Sequence, residues 1–225
     1  MSLVDDIAWF KATFGDRIRA AVAGTPFTLD LITALAVQET HEVWGRARKK
    51  WPAAQVLALC VGDIIDASGG RRAFPKSRAA LEAVPHGKEM FAIARHAIED
   101  MASVAPEYKK YLKNPNKFAH AFGLFQYDIQ AFPRDPDFFL HKQWHDFDKC
   151  LAKCVAELRE KLQRKWARSL RTKAALGPKD LVYLAIAYNK GSAKVGAGFK
   201  QGFKSGGKYY GELIDHYMQL AKQVA

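Results

Sequence analysis

Apolar residues recur at steps of three and four along most of the chain, a spacing that is typical of amphipathic helices. The alternation of apolar and polar residues that would predict strands is scarce. We therefore predict a mostly α fold, with helices over residues 3–23, 28–40, 52–66, 87–104, 136–169, 178–189 and 208–223. The clearest apolar face lies in the fifth segment, at Leu140, Trp144, Phe147, Leu151, Val155, Leu158 and Leu162.

One carboxylate interrupts this pattern at the end of the second predicted helix. Glu39 follows Ile32 by seven positions and Leu35 by four, so it falls on the stripe that faces the core. An apolar setting disfavours the charged form of a carboxyl group and raises its pKa above the ordinary value of about 4.3. A glutamate in this setting is suited to give up a proton near neutral pH, although most glutamates near helix ends are solvated or paired.

The overall composition is that of a globular protein with a basic surface. The chain has 225 residues, 49% of them hydrophobic and 26% charged, which suits one large domain or two small ones. The formal net charge of +12 favours anionic partners such as nucleic acid, anionic lipid or bacterial cell wall. The basic run at 164–173 is expected to be an ordinary solvated helix face.

Metal, cofactor and disulfide signals are weak. Three cysteines, Cys60, Cys150 and Cys154, are too few and too poorly spaced for a disulfide framework, so we expect free, packed thiols. His141, His145 and Asp148 have ligand-capable helical spacing, but the two nearby cysteines point to a different side of the helix. No phosphate-binding glycine loop or dinucleotide fingerprint is present. We expect neither a metal nor a cofactor.

The ends and loops of the sequence bear on location. The N-terminus carries Asp5 and Asp6 and lacks the basic and apolar regions of a secretory signal, and no apolar run approaches the length of a membrane span. The sequence leaves open that the opening Met-Ser-Leu is an addition and that a signal has been removed. Segments rich in glycine, proline and charge at 66–77, 113–128 and 189–208 are predicted loops, where functional residues concentrate.

Three short motifs occur in order along the chain. The first is Gln38-Glu39-Thr40, the second is Gly123-Leu124-Phe125-Gln126, and the third is Ala187-Tyr188-Asn189-Lys190-Gly191. Together they resemble the lysozyme-like lytic transglycosylase family, which has the goose-type lysozyme fold and shows Glu-Ser, Gly-Leu-Met-Gln and Ala-Tyr-Asn-x-Gly in that order. Thr40 stands for the serine and Phe125 for the methionine. The segment Tyr210–Ile214 loosely matches a fourth family element.

The resemblance implies a single lysozyme-like catalytic domain over residues 1–225 that cleaves the MurNAc–GlcNAc β-1,4 bond of peptidoglycan. Glu39 would be the catalytic acid. The other implied roles are substrate contacts by Thr40, Gln126, Tyr188 and Asn189, an apolar wall at Phe125, and packing of Tyr210 near the glutamate. Peptidoglycan strands would be the partner, in a periplasmic or extracellular compartment or after delivery by a phage or as an effector. The separation of the first two motifs is longer than usual in the family, which predicts an insertion over about 45–117.

The reaction type and its rivals stay open at this point. Hydrolysis needs a second carboxylate opposite the acid, for which Asp63, Asp66 and Asp128 are candidates by position. The family's alternative uses the C6 hydroxyl of the sugar as nucleophile and gives 1,6-anhydroMurNAc ends, with one glutamate acting as acid and then base. We favour this lytic route over a muramidase, a non-catalytic glycan-binding module and a basic nucleic-acid binder.

Overall fold

A computed structural model describes residues 2–62 and 71–224 of the chain. The chain is 64% helical and 5% strand, which confirms the mostly α class predicted from the periodicity. The α-helices of the described ranges are α1 (Leu3–Val22), α2 (Leu29–Ala47), α3 (Ala53–Ala58), α4 (Arg78–Glu82), α5 (Gly87–Val104), α6 (Lys109–Leu112), α7 (Pro136–Leu140), α8 (Phe147–Gln163), α9 (Arg168–Arg171), α10 (Pro178–Lys190) and α11 (Tyr210–Gln223). The strands are β1 (Val61–Gly62), β2 (Ala121–Phe122), β3 (Tyr127–Asp128), β4 (Lys204–Ser205) and β5 (Lys208–Tyr209).

The chain divides into two compact units. The first unit comprises residues 1–39 and 151–225, and the second comprises residues 40–150. Both boundaries fall inside helices, between Glu39 and Thr40 of α2 and between Cys150 and Leu151 of α8. The single lysozyme-like domain and its insertion over about 45–117 stay predictions.

Helix α1 shows how the sequence of the first unit specifies its local structure. The Ser2 hydroxyl accepts from the Asp5 backbone N–H at 3.2 Å, and the Asp5 carboxylate accepts from the Ser2 N–H at 2.7 Å. This reciprocal capping box satisfies two backbone donors that the first turn leaves without helical partners. The buried face then follows the helical repeat at Ile7, Phe10, Phe14, Ile18 and Val22.

A buried lysine joins three parts of the first unit. Lys11 is 7% exposed, and its ammonium donates to the Ala221 carbonyl at 2.9 Å and also to the Val224 carbonyl. It forms an ion pair with Asp30 at 3.3 Å. A buried ammonium is tolerated only with such partners, and its position at the C-terminal end of α11 also complements the negative end of the helix dipole.

Helices α10 and α11 approach each other closely in the same unit. Residues 181–187 of α10 are all buried, which makes this helix the apolar centre of the unit. A Cβ atom on Gly211 would lie 2.6 Å from the Ile186 Cδ1 atom and 2.5 Å from the Phe199 carbonyl oxygen. Only a glycine therefore fits at this crossing.

The second unit contains a small antiparallel sheet in the order β1-β2-β3. Val61 pairs with Phe122, and Phe122 in turn pairs with Tyr127. Aromatic rings cover this sheet: the Phe122 ring lies 4.8 Å from the Trp144 ring and 5.4 Å from the Phe139 ring. The turn between β2 and β3 is the second sequence motif.

The structure corrects several predicted helix boundaries. The continuous helix expected over 136–169 breaks after Leu140, because Lys142 adopts a left-handed conformation with a φ of 48°. Helix α8 begins anew at Phe147, where the Asp146 carboxylate accepts from the Asp148 N–H at 2.8 Å. The helix expected over 52–66 ends at Ala58, since Val61 joins the sheet, and residues 63–66 lie outside the described residues.

Helix α2 is longer than predicted. It runs to Ala47 instead of stopping at residue 40, so Glu39 lies inside the helix and not at its C-terminal end. Apolar residues at Val43, Trp44 and Ala47 continue the buried face past the glutamate. The carboxylate is therefore fixed by helical backbone on both sides.

We expect Gly211→Ala to destabilise the protein by about 1–3 kcal/mol, because overpacking at a close crossing forces backbone shifts. Thermal unfolding would show this as a lowered melting temperature. Gly15→Ala in α1 is the matched control: its added Cβ would meet only the mobile end of Arg19, at 3.3 Å, and alanine favours a helix by up to about 1 kcal/mol. Equal melting temperatures for the two variants would contradict the close crossing.

Candidate active site

Glu39 is half-buried and follows a run of fully buried residues in α2. Leu31, Ile32 and Leu35, which share its helical face, each have 0% exposure. The sequence prediction that this carboxylate is carried on an apolar helix face is therefore correct, while its other edge keeps some access to solvent. A half-buried carboxylate of this kind can meet a ligand and still be oriented by the protein.

Tyr210 supplies a hydrogen-bond donor to this carboxylate. Its hydroxyl donates to the Glu39 Oε1 atom at 2.6 Å, and its side chain is only 3% exposed. Burial raises the pKa of the Tyr210 phenol well above its ordinary value, and the negative charge of Glu39 and the hydrogen bond to it raise that pKa further. The phenol is therefore protonated at neutral pH and remains a donor to Glu39.

Tyr188 lies in the same cluster, in the last turn of α10. Its pKa is also raised well above the ordinary value, first by burial and further by the negative charges of Glu157 and Glu39. Glu39, Tyr188 and Tyr210, which we call the Glu39 cluster, are thus brought together from α2, α10 and α11. Both predicted tyrosines accompany the predicted acid.

Glu157 of α8 is a neighbour of this cluster that sequence reasoning missed. Its negative charge raises the pKa of both Tyr188 and Tyr210. The side chain is 28% exposed and forms an ion pair with Lys161 at 3.1 Å. The sequence did contain a weak signal, since Glu157 lies three positions after the buried Cys154, at the edge of the apolar face of α8.

Asn189 has a structural partner in the loop that follows α10. Its Oδ1 atom accepts from the Phe203 backbone N–H at 3.1 Å, although the residue itself is exposed. The helix ends instead at Gly191, which has a φ of 87° and donates its N–H to the Ala187 carbonyl at 2.7 Å. Asn189 therefore holds the 191–209 loop in place beside Tyr210.

The second motif forms a tight turn in the second unit. Gly123 has a φ of 77°, and a Cβ atom there would lie 2.5 Å from the Cys150 sulfur. Gln126 has a φ of 56°, an uncommon conformation for a residue with a side chain, and its Nε2 donates to the Gly123 carbonyl at 2.9 Å. Strained positions of this kind concentrate at functional sites.

Two motif residues of the second unit are buried and engaged inside the protein. The Thr40 hydroxyl donates to the Leu124 carbonyl at 2.8 Å, so it anchors the turn to α2. Phe125 is 2% exposed, and its ring lies 6.3 Å from the Phe147 ring. The expected apolar wall for a sugar is therefore replaced by a core contact, because the turn directs this ring inward.

Of the three candidate second carboxylates, Asp128 lies within the described residues and is engaged by other side chains and backbone. Asp128 forms an ion pair with Arg71, whose side chain is 8% exposed, and also accepts from the Gln130 N–H at 2.7 Å. These contacts give Asp128 a structural role in the second unit. Asp63 and Asp66 lie outside the described residues.

His120 is a buried polar residue close to the second motif that the sequence did not single out. It is 3% exposed, and burial together with the positive charge of Arg71 lowers its pKa to about 3. The ring is therefore neutral and stacks on Phe118 with the centroids 4.4 Å apart. Arg71 is about fifty residues before His120 and Asp128 in the sequence, so only the fold reveals that it contacts this segment.

The motif residues thus divide between the two units. The first unit contains Glu39, Tyr188, Asn189 and Tyr210, and the second contains Thr40, Phe125, Gln126 and Asp128. The predicted residues of the first unit form the chemically richer group. They include a carboxylate and two protonated phenols, and the unpredicted carboxylate of Glu157 is their neighbour.

The three thiols are packing residues, as predicted. Cys60, Cys150 and Cys154 are free and buried. Burial raises the pKa of Cys150 to about 12 and that of Cys60 further, so these two thiols remain protonated and are poor nucleophiles or metal ligands.

Residues 2–62 and 71–224 contain no group of three or more His, Cys, Asp or Glu side chains arranged to hold a metal ion. Over the same ranges, none of the helices combines the length and the apolar character needed to cross a membrane.

Comparison of the chain with protein-family models, curated proteins and solved structures gives no significant match. The geometry of the Glu39 cluster and the order of the short motifs are therefore the features that bear on function.

The raised phenol pKa values predict a specific alkaline response. Above about pH 10 the unfolded chain loses phenol protons that the folded chain keeps, so stability falls as pH rises toward the folded-state pKa. Tyr210→Phe should reduce this decline by about 1.4 kcal/mol per pH unit, the contribution of one proton. Urea unfolding at a series of alkaline pH values measures the slope.

Tyr111→Phe is the control, because it removes a half-buried phenol hydroxyl that belongs to the second unit and is not part of the Glu39 cluster. If Tyr210→Phe and the wild-type protein lose stability with the same slope, Tyr210 does not keep its proton in the folded state.

Proposed function

We propose that this protein cleaves the MurNAc–GlcNAc β-1,4 bond of peptidoglycan and does so as a lytic transglycosylase. The observation that carries the proposal is the 2.6 Å hydrogen bond between the Tyr210 hydroxyl and Glu39 in a half-buried, apolar part of the first unit. The net charge of +12 suits an anionic wall polymer. Such an enzyme would work in the cell-wall compartment.

Glu39 would first act as the general acid. Its carboxyl group would protonate the glycosidic oxygen as the bond from that oxygen to the anomeric carbon breaks. The Tyr210 hydroxyl suits this cycle because a phenol can donate to a carboxylate and accept from a carboxylic acid. The orientation of Glu39 would then be kept in both protonation states.

Glu39 would next act as the base. The carboxylate left by the first step would take the proton of the C6 hydroxyl, while the C6 oxygen forms a bond to the anomeric carbon. The product is a 1,6-anhydro sugar, and the enzyme regains its proton without adding water. An intramolecular nucleophile is favoured by its high effective concentration. Tyr188, beside Glu39, would contribute a second protonated hydroxyl for the substrate.

The engagement of Asp128 supports the lytic route. A hydrolase holds a water molecule with a carboxylate opposite the acid. Of the three candidates, Asp128 lies within the described residues, and its carboxylate is paired with Arg71 and accepts from the Gln130 N–H. A single glutamate acting twice needs no such partner.

A muramidase is the second candidate, and Glu157 is the observation that favours it. Its charge acts on both phenols of the Glu39 cluster, so a second carboxylate lies near the proposed acid. Its carboxylate lies 3.1 Å from the Lys161 ammonium and would be the base that activates water.

A non-catalytic glycan-binding module and a nucleic-acid binder are weaker candidates. Binding of nucleic-acid bases usually requires several exposed aromatic rings interleaved with basic residues. Over residues 2–62 and 71–224 the large exposed apolar side chains are Val4, Val195 and Phe203. A single ring among them does not form a base-stacking platform.

We expect Glu39→Gln to fold normally and to lose nearly all cleavage of purified peptidoglycan, because the amide has almost the same shape but cannot donate the proton. Glu42→Gln is the matched control, since Glu42 lies three residues further along α2 with a side chain 78% exposed. Turbidity loss of a cell-wall suspension measures the rate. Wild-type clearing by Glu39→Gln would exclude Glu39 as the acid.

The products should end in 1,6-anhydroMurNAc, about 18 Da lighter than hydrolysis products, since the intramolecular route leaves out one water. Mass spectrometry of digests in ordinary and ¹⁸O-labelled water would show unlabelled ends. Reducing ends that carry the label as the main product would instead establish a muramidase. Loss of that labelled product in Glu157→Gln, but not in Asp128→Asn, would assign the water-activating role to Glu157.

A further inference from the structure

Phe203 is an exposed aromatic ring held beside the Glu39 cluster. Its side chain is 71% exposed, whereas Val4 and Val195, the other large exposed apolar residues of the described ranges, have 40% and 38%. A lone apolar residue on a surface is ordinary. Phe203 differs because hydrogen bonds hold its backbone against Asn189 and Tyr210, next to the proposed acid.

Hydrogen bonds on both sides fix the backbone of Phe203. Its N–H donates to the Asn189 Oδ1 atom at 3.1 Å, and its carbonyl accepts from the Tyr210 N–H at 2.8 Å. Tyr210 in turn donates its hydroxyl to Glu39 at 2.6 Å. Tyr210 therefore connects the backbone of Phe203 directly to the proposed acid.

Glycine permits this close arrangement. Gly202 has a φ of 88°, and a Cβ atom there would lie 2.7 Å from the Tyr210 Cβ and 3.1 Å from the Asn189 Oδ1. The rest of the loop is also tied down. The Gln201 side chain bonds to the Lys194 N–H at 2.8 Å, to the Lys194 carbonyl at 3.0 Å and to the Gly198 carbonyl at 2.7 Å. The ring is thus presented on an ordered backbone, which reduces the entropy lost on binding.

The charge around Phe203 is uniformly positive in sequence. Residues 190–211 contain five lysines and no aspartate or glutamate. Lys200, three residues before Phe203, and Lys204 and Lys208 of the β4–β5 hairpin that follows it are all exposed. An exposed apolar ring in a lysine-rich loop fits a ligand that combines the apolar face of a sugar ring with carboxylates.

We propose that Phe203 stacks on a sugar ring of an anionic glycan strand and that the neighbouring lysines bind the carboxylates the strand carries. This inference rests on the proposed function, because it takes the glycan to be the substrate of Glu39. Phe203 and its lysines would then set the preference for strands with acidic substituents over neutral glycans. The exposed loop thereby gains a role in specificity as well as binding.

The test measures binding in the Glu39→Gln background, where the glycan is not consumed. The probes are insoluble peptidoglycan, followed by co-sedimentation, and a neutral hexamer of β-1,4-linked N-acetylglucosamine, followed by calorimetry. Adding Phe203→Ala should weaken binding of both probes roughly tenfold, as expected for truncation of an aromatic anchor. Phe203→Trp should retain binding. Val195→Ala, in the same loop, is the matched control and should change nothing.

The lysines are tested separately by the triple change Lys200→Gln, Lys204→Gln and Lys208→Gln. It should weaken binding to peptidoglycan, reduce its salt dependence and leave binding of the neutral hexamer unchanged. Equal loss for both probes would overturn the carboxylate assignment.

The outcomes separate this inference from the proposed function. If the wild-type protein cleaves peptidoglycan and Phe203→Ala binds both probes as tightly as its parent, the stacking role of Phe203 is wrong while the function stands. If the wild-type protein neither binds nor cleaves either glycan, both are wrong. Because Phe203 is exposed, an unchanged melting temperature for Phe203→Ala would show that lost binding is not lost folding.

Discussion

The contact between the Tyr210 hydroxyl and the Glu39 carboxylate is the constraint on which the first unit depends. A carboxylate on an apolar helix face needs a polar partner, because leaving a half-buried charge without one is costly. That partner is the first residue of α11, so α11 must begin at a fixed distance from α2. The glycine at position 211 meets this requirement by letting α11 approach Ile186 of α10 closely. The N-terminal end of α11 therefore provides both the hydrogen-bond donor to Glu39 and the close packing against α10.

Much of this arrangement could be predicted from the sequence, because it follows from local periodicity. Helices α1, α5 and α10 have bounds within one residue of those predicted, and the inward orientation of Glu39 followed from its spacing after Ile32 and Leu35. The order of the three motifs also led to Tyr188 and Tyr210, which the fold brings to Glu39. In each case the deciding information lies within a few turns of helix or in a short motif.

The features that the sequence missed depend on distant residues or on single backbone angles. The left-handed conformation of Lys142 splits a helix whose apolar periodicity continues unbroken, so the pattern alone could not show the break. Phe125 was expected to form an exposed apolar wall, but the turn at residues 123–126 directs its ring into the core. The Asn189 side chain accepts from the backbone N–H of Phe203, fourteen residues further on. The role of Glu157 depends on the fold, which brings its charge near the two phenols.

The buried ammonium of Lys11 has a consequence for mechanics. Helix α11 is a rod of about 20 Å, since each residue adds about 1.5 Å. Tyr210 lies at one end of this rod, and the carbonyls of Ala221 and Val224, which Lys11 grips, lie at the other. Lys11 of α1 thus holds the C-terminal end of α11, while the Tyr210 phenol lies at the N-terminal end of the same helix. Loss of the Lys11 hydrogen bonds would let α11 shift, so the orientation of the Tyr210 hydroxyl toward Glu39 depends in part on Lys11 at the other end of the helix.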